Sequence, residues 1–160
     1  MYDTRNDLAP DLRNQVVALL NARLADAIDL GTQAKQAHWN VKGPAFIALH
    51  ELFDRVAEHI EDHIDTLAER VTALGGTARG TLATVARSSS LKPYPEDLRE
   101  GLQHVDALSA ALADFGAKLR SGIEAAAGLG DAGSSDLFTQ ISRETDKDLW
   151  FLEAHLHAGR

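Results

Sequence analysis

Apolar residues recur along most of the chain at intervals of three and four positions, the spacing of an amphipathic helix. The first such run extends from about Asp11 to about Trp39. Its apolar positions are Leu12, Val16, Leu19, Leu20, Leu24 and Ile28. A Gly43-Pro44 break follows, and because proline suits the first turn of a helix, this break also predicts the start of a second helix.

The second run continues to Val71 and is expected to stop at Gly75-Gly76. Its apolar side is formed by Phe46, Leu49, Phe53, Val56, Ile60, Ile64, Leu67 and Val71. The segment that follows, residues 75–95, is too long for a bare helix connection, so it should carry structure of its own. A short helix is predicted near Thr81–Arg87.

A third helix is predicted to open at Pro95-Glu96-Asp97, because acidic residues favour a helix N-terminus. Its apolar positions are Leu98, Leu102, Val105, Leu108, Leu112, Phe115, Leu119 and Ile123, and Gly128 and Gly130 should end it. A fourth helix is predicted to start near Asp131–Ser134. It carries Leu137, Ile141, Leu149, Leu152 and Leu156.

Four long helical patterns and no strand pattern predict an all-α fold, a four-helix bundle with a short extra helix in the long connection between helices two and three. That connection would cross between two helical hairpins. The chain of 160 residues is long enough for one domain with a real core. We assign the whole of 1–160 to this domain, with residues 1–9 as a short N-terminal tail.

One polar stripe on the second helix stands apart from the apolar side. His50, Asp54, Glu58, Glu61, Asp65 and Glu69 all fall within roughly 100° of one another on a helical wheel. A solvated helix face is the simpler interpretation. Carboxylates stacked at spacing four repel each other, however, and this repulsion costs stability unless cations bind. Imidazole nitrogens together with carboxylate oxygens suit a transition metal such as iron, manganese or zinc.

The stripe contains two pairs of candidate ligands, His50 with Asp54 and Asp65 with Glu69. The pairs are ~15 residues, or ~22 Å, apart along the helix, so one chain cannot bring both to one ion. Pairing this helix with an antiparallel copy about a two-fold axis near His59–Ile60 would place each pair against the other. The stripe therefore predicts a dimer with two symmetric metal sites between subunits.

The histidines and the tryptophan near the stripe also have structural explanations that do not involve a metal. An antiparallel hairpin would bring His38 beside His50, but a lone histidine at a helix end is also a cap or a dipole partner. Trp39 could anchor the bundle with its indole N–H satisfied. His59 and His63 lie off the stripe, and we interpret both as structural or solvent-facing.

Composition excludes several kinds of chemistry. The chain has no cysteine, which rules out disulfides, thiolate metal sites and cysteine nucleophiles. Its formal net charge of −8 repels phosphate backbones and attracts cations, and neither terminus carries a lysine-rich arm. No apolar run is long enough to span a bilayer and the start does not resemble a signal peptide, so we expect a cytoplasmic protein, with association with the nucleoid as an open alternative.

Three stretches together resemble the Dps family (DNA-binding protein from starved cells), the miniferritins of the ferritin-like superfamily. They are "KQAHWNVKGPAFIALHELFD" at 35–54, "DHIDTLAERVTALGG" at 62–76 and "SRETDKDLWFLEAHL" at 142–156. The opening residues, Tyr2 to Asp7, are similar to the family as well. The resemblance covers almost the whole chain. Ordinary ferritins differ from this pattern, because they carry a Glu-x-x-His arrangement within one bundle.

The resemblance implies a homo-dodecameric hollow shell built from two-fold dimers. Its intersubunit sites would bind Fe(II), let hydrogen peroxide oxidise it and so protect DNA, with ferric mineral as product and no organic cofactor. The implied metal ligands are His38, His50 and Asp54 from one chain and Asp65 and Glu69 from the other. Trp39 matches a position close to the site, where it would be either an electron donor or a packing residue.

The resemblance also implies acidic entry pores near the start of the last helix. Asp131 and Asp136 are the candidates, although either could instead cap that helix. Glu58, Glu61 and Asp62 are candidates for facing the mineral cavity. Family members that bind DNA often do so through lysine-rich tails, so we expect weak or absent direct DNA binding here. A nucleoid-packing protein is the alternative function, and a structural bundle with a solvated stripe is a third.

Overall fold

The computed structural model describes residues 1–157 and contains five helices in that range. They are α1 (Pro10–Asn40), α2 (Phe46–Ala73), α3 (Leu82–Ser88), α4 (Gly101–Gly128) and α5 (Ala132–Leu156). The described chain has no strand, so the predicted all-α bundle with a short extra helix is confirmed. None of these helices is long and apolar enough to cross a membrane. Residues 158–160 of the predicted domain lie outside the described part.

The four long helices form two antiparallel hairpins, because the connections inside each pair are short. Helix α1 packs along α2 and α4 along α5, and the hairpins meet through α1 with α4 and α2 with α5. Phe53, Phe115 and Phe138 are completely buried where the hairpins meet. Aliphatic side chains of all four helices fill the rest of the core, among them Val16, Leu20, Leu24, Ile60, Leu67, Leu108, Leu112 and Leu152.

The end of α2 also fixes the N-terminal tail. Gly75 has φ +81°, a left-handed conformation that ends the helix as predicted. A Cβ at Gly75 would lie 2.6 Å from the carbonyl oxygen of Tyr2, whose own N–H donates to the Gly75 carbonyl at 2.7 Å. The Arg13 guanidinium donates to the Leu74 carbonyl at 3.2 Å. The tail is therefore held against the bundle at this end of α2.

Polar contacts with α1 hold the long connection in place. The carboxylate of Asp26 is completely buried, pairs with Arg23 at 2.8 Å and accepts hydrogen bonds from the backbone and side chain of Ser90. The Gln33 side chain donates to the Lys92 carbonyl at 3.1 Å. These contacts hold the connection against α1.

The predicted start of the third long helix was wrong. Helix α4 begins at Gly101, not at Pro95-Glu96-Asp97. The side-chain carbonyl of Gln103 accepts hydrogen bonds from the N–H groups of Arg99 and Glu100, which caps the helix at this point. As a result Leu98 lies outside the helix, and Leu102 is 53% exposed although its spacing predicted a core position.

The second helix starts slightly later than predicted as well. Helix α2 begins at Phe46, two positions after the Gly43-Pro44 break, and Phe46 itself is 39% exposed instead of lying in the core. Gly43 has φ +105°, the left-handed conformation that reverses the chain between α1 and α2. This reversal is what brings the end of α1 beside the start of α2.

Candidate metal centre

His38 in the last turn of α1 and His50 in the second turn of α2 face each other across the turn. Their rings stack with centroids 3.7 Å apart and planes inclined by 21°. The prediction that the hairpin brings these two histidines together is confirmed. We call His38, His50 and Asp54 the hairpin cluster.

The two imidazoles are locked by a reciprocal pair of hydrogen bonds. Nδ1 of His38 lies 2.9 Å from the carbonyl oxygen of His50, and Nδ1 of His50 lies 2.9 Å from the carbonyl oxygen of His38. Because a carbonyl oxygen can only accept, each Nδ1 carries a proton, and the neutral form of each ring then has its lone pair on Nε2. Metal-bound histidines are usually oriented in this way, through the nitrogen that does not bind the ion.

Asp54 follows His50 by one helical turn and is held by a lysine of α1. Lys35 Nζ lies 2.5 Å from Oδ1 of Asp54, and Nδ1 of His38 lies 3.8 Å from the same oxygen. The hydrogen bond from the Lys35 ammonium holds the pKa of the Asp54 carboxyl below its usual range. The carboxylate is therefore charged at neutral pH. The Lys35 ammonium lies beside it, where a metal ion could approach.

Asp65 and Glu69 lie further along α2 and are both exposed. Within residues 1–157 neither carboxylate forms an ion pair. On a continuous α2, Asp65 is ~16 Å of helix rise beyond Asp54, so these carboxylates cannot reach the hairpin cluster of their own chain. Over the same residues, no three His, Asp or Glu side chains of a single chain converge as a metal-binding group.

A groove of about 640 Å³ runs along α1 and α2 beside the hairpin cluster. Lys35, Trp39, Asp54, Glu58 and Glu61 contribute to its walls. Trp39 is 67% exposed, so the interpretation of this tryptophan as an anchor of its own bundle was wrong. The groove is large enough to accept side chains from another helix, and its mainly apolar walls carry three carboxylates and one lysine.

The first of the two pore candidates has a structural role. Asp131 is 3% exposed, caps α5 by accepting from the backbone N–H of Ser134, and pairs with Arg70 at 2.8 Å. Burial acts to raise the pKa of Asp131, but the hydrogen bonds from Ser134 and Arg70 outweigh it and the pKa is lowered. The capping alternative therefore holds for Asp131, whereas Asp136 is exposed on the first turns of α5.

Sequence reasoning missed the role of Lys35. Its position three residues before His38 places both on one face of α1, and this spacing was the available signal. The partners of the two histidines that lie off the stripe were missed as well. His59 contacts Asp148 and His63 contacts Glu144, both on α5. His63 is buried and His59 is partly exposed, in line with the structural interpretation of both.

Comparison with known proteins places this geometry in a family. Residues 17–160 match the family model described as Ferritin-like domain. The DNA protection during starvation protein of Agrobacterium fabrum is 45% identical over 155 residues, covering 97% of this chain and 96% of the relative. The DNA protection during starvation protein 2 of Bacillus anthracis is 35% identical over 148 residues, covering 91% and 99%.

A solved structure agrees with the sequence matches. The tetragonal form of Mycobacterium smegmatis Dps superposes with a TM-score of 0.93 at 30% identity, covering 99% of this chain and 96% of that one. The likeness thus extends over the hairpins, the crossing connection and the turn that carries the two stacked histidines. This chain belongs to the Dps family within the ferritin-like superfamily.

Proposed function

We propose that this protein is a ferroxidase that oxidises Fe(II) with hydrogen peroxide between two-fold-related subunits and collects ferric mineral inside a dodecameric shell. The reciprocal hydrogen bonds of His38 and His50 carry the proposal. They leave both Nε2 atoms without a hydrogen-bond role in the hairpin cluster, which also contains the charged carboxylate of Asp54. Fe(II) is the substrate that this set of nitrogen and oxygen ligands suits.

The second half of the site would come from another subunit. Asp65 and Glu69 are exposed and without ion pairs within the described chain, and the acidic groove beside Asp54 is open to a neighbouring helix. An antiparallel copy of α2, related by a two-fold axis near its middle, would place these carboxylates opposite the hairpin cluster twice over. The site would then contain two imidazoles and three carboxylates.

The chemistry fits a protective role. Two ferrous ions each lose one electron, and one peroxide takes both, so that the oxygen–oxygen bond breaks without releasing a radical. With two waters, the products are two ferric oxyhydroxide units and four protons. Carboxylates neutralise the charge of the ions, and the fixed imidazoles set their positions. The relatives named for DNA protection are consistent with removal of iron and peroxide together.

Subunit mixing tests the shared site directly. His50→Ala and Asp65→Ala should each abolish rapid peroxide-driven oxidation of Fe(II), followed by absorbance under anaerobic conditions. When the two variants are co-expressed, each mixed dimer has one site with both changes and one intact site. Random pairing then predicts recovery of about one quarter of the wild-type rate.

Two outcomes separate the alternatives. If the mixture stays as inactive as its components, the ligands are not shared between subunits and the proposal is wrong. Asp106→Ala serves as the control, since Asp106 is an exposed carboxylate of α4 that belongs to neither half of the proposed site. Equal oxidation rates in all variants would indicate that the stripe is only a solvated face.

The alternative function, packing of DNA as the main activity, receives less support. A shell of such chains carries about −96 formal charges at neutral pH, which repel phosphate groups. The N-terminal tail is held at Gly75 by its own backbone. We expect no stable complex with plasmid DNA in a gel shift at about 150 mM salt. A tight complex under these conditions would favour the packing function.

A further inference from the structure

Tyr94 in the long connection and His104 on α4 are joined by a short hydrogen bond that the proposed function does not use. The Tyr94 hydroxyl oxygen lies 2.6 Å from Nδ1 of His104. The ring centroids are 6.1 Å apart and the planes are inclined by 21°, so the two rings lie nearly end to end. His104 is 2% exposed and Tyr94 is half-buried. A phenol and an imidazole are thus held together away from most of the solvent.

The chain around Tyr94 restricts the movement of its side chain. Pro93 and Pro95 flank Tyr94, and each proline ring fixes its own φ angle. The carbonyl of Lys92, just before this stretch, accepts a hydrogen bond from the Gln33 side chain of α1 at 3.1 Å. These restraints keep the phenol at its position beside the imidazole.

His104 has a hydrogen-bond partner on one ring nitrogen only. Its Nε2 is buried and has no partner among the described residues. Burial alone lowers the pKa of His104, and burial also raises the pKa of Tyr94, so both rings are neutral at neutral pH. Because a phenol is the stronger acid of the two, its hydroxyl donates and Nδ1 accepts, which leaves the imidazole proton on Nε2. A further proton taken up at Nδ1 has no acceptor at Nε2 to which the ring could pass it on.

We propose that Tyr94 and His104 form a one-electron redox site, in which Tyr94 gives an electron to an oxidising radical while its phenolic proton passes to Nδ1 of His104. The O–H bond breaks, the oxidant gains the electron, and a neutral tyrosyl radical remains beside an imidazolium. A phenol that has lost an electron is a far stronger acid than an imidazolium, so the proton moves although burial lowers the pKa of His104. When a reductant returns the electron, the proton returns to the phenol oxygen.

Composition leaves few other residues for this role. The chain has no cysteine and its single methionine is Met1, so its easily oxidised side chains are chiefly its two tyrosines and two tryptophans. Tyr2, Trp39 and Trp150 are 72%, 67% and 64% exposed. Within residues 1–157, Tyr94 is the one member of this group that is hydrogen-bonded to an imidazole. We therefore expect an oxidising equivalent that enters at an exposed aromatic ring to come to rest on Tyr94.

The site is separate from the hairpin cluster, so it does not depend on ferroxidase activity. Tyr94 and His104 lie on the connection and on α4, whereas the hairpin cluster belongs to α1 and α2. A groove of about 360 Å³ borders Tyr94, and Lys92 and Asp114 are the charged residues on its walls. A small reductant can approach the phenol through this groove without passing the proposed iron site.

Flash photolysis of a ruthenium polypyridyl complex with an electron acceptor supplies the oxidant without iron or peroxide. Failure of this experiment would therefore leave the proposed ferroxidase untouched. Electron paramagnetic resonance and visible absorption should show a neutral tyrosyl radical that outlives the tryptophan radicals about tenfold. Tyr94→Phe should remove this radical. Tyr2→Phe, which removes the exposed tyrosine that has no imidazole beside it, is the matched control and should leave the radical unchanged.

The role of His104 as the base is tested by replacing it and by changing the pH. His104→Gln keeps a hydrogen-bonding side chain but removes the base, so it should slow formation of the radical about tenfold or more. Circular dichroism verifies that this variant is folded. In wild type the rate should stay constant as pH falls through about 6.5, the ordinary histidine value, because the pKa of His104 is lowered.

Three results would overturn the proposal. The long-lived radical would survive Tyr94→Phe if it resided on another side chain. It would form equally fast in folded His104→Gln if the contact were only a structural anchor of the connection. In wild type, a rate that rises steadily with pH would show that the phenolic proton goes to water and not to His104.

Discussion

Two histidine pairs meet α5 from α2, His59 with Asp148 and His63 with Glu144, and we call these four residues the seam cluster. The hairpin cluster and the seam cluster both pair imidazoles with carboxylates, but different groups hold their rings. In the hairpin cluster, each histidine donates from Nδ1 to a backbone carbonyl, and the nearby carboxylate is bound by Lys35. In the seam cluster, each histidine faces a carboxylate of the opposite helix directly. In both arrangements the contact is made through Nδ1, but the partners in the hairpin cluster are backbone atoms and those in the seam cluster are side chains of another helix.

This difference shows why residue types alone do not identify a metal site. Backbone carbonyls cannot move away or change protonation, so the hairpin histidines keep the same free nitrogen whatever binds nearby. The side-chain carboxylates of the seam cluster can turn away and change protonation, so they fix the histidines less firmly. We therefore expect the hairpin cluster to be the preorganised site for an ion and the seam cluster to be a structural contact between α2 and α5.

The largest expected effect comes from removing a hairpin histidine. His38→Gln should lower the rate of peroxide-driven Fe(II) oxidation by about 100-fold or more, because it removes a ligand and the ring that stacks on His50. His59→Gln in the seam cluster should leave the initial rate within about twofold, since it lies outside the site. Stopped-flow absorbance of both variants checks this. Equal losses would mean that the two clusters act in one reaction.

An intermediate effect is expected at Lys35, the residue that separates the clusters most clearly. Lys35→Met should tighten divalent-metal binding at the hairpin cluster about tenfold, or ~1.4 kcal/mol, because the ion no longer competes with an ammonium for Asp54. The pKa of Asp54 should rise towards its ordinary value in the same variant. Lys35→Arg keeps the charge and is the control. Titration with Zn²⁺ measures the change, and unaltered affinity in Lys35→Met would contradict it.

The smallest effects concern two buried carboxylates at the α2–α5 seam, whose pKa values shift in opposite directions. The pKa of Asp131 is lowered, so its charge contributes stability above the unfolded pKa of about 3.9, and this contribution is lost as pH falls through the folded pKa. Asp131→Asn should cost about 1 kcal/mol at neutral pH and less below about pH 4. The pKa of Asp148 is raised, so its ionisation weakens the fold as pH rises through the folded pKa.

The Asp148→Asn variant should therefore gain stability relative to wild type as pH rises, the reverse of Asp131→Asn. Denaturant midpoints between about pH 3 and pH 7, measured at one protein concentration, give the two slopes. Slopes of the same sign would show that the Asp148 carboxylate is stabilised by His59 more than burial penalises it.

Most of the architecture was predictable because each long helix repeats its apolar residues at helical spacing, and glycines mark the ends. The start of α4 was the exception. Leu98 and Leu102 continue the apolar spacing towards the N-terminus, yet the helix begins only at Gly101, where the Gln103 side chain forms the cap. Periodicity shows which side chains could share a face of a helix. It contains no information on which local hydrogen bond sets the residue at which the helix begins.

The candidate site, like the fold, was predictable from the sequence only in part. A helix imposes the spacing of its side chains, so the sequence was enough to place the α2 stripe on one face and to separate its two ligand pairs by more than one chain can bridge. The contact of His38 with His50 followed from the Gly43-Pro44 break. Only the folded chain decided which imidazole nitrogen is free, that Lys35 binds Asp54, and that His59 and His63 meet carboxylates of α5. Those contacts join residues distant in sequence, and they depend on how the helices rotate and approach each other, which no single helix specifies.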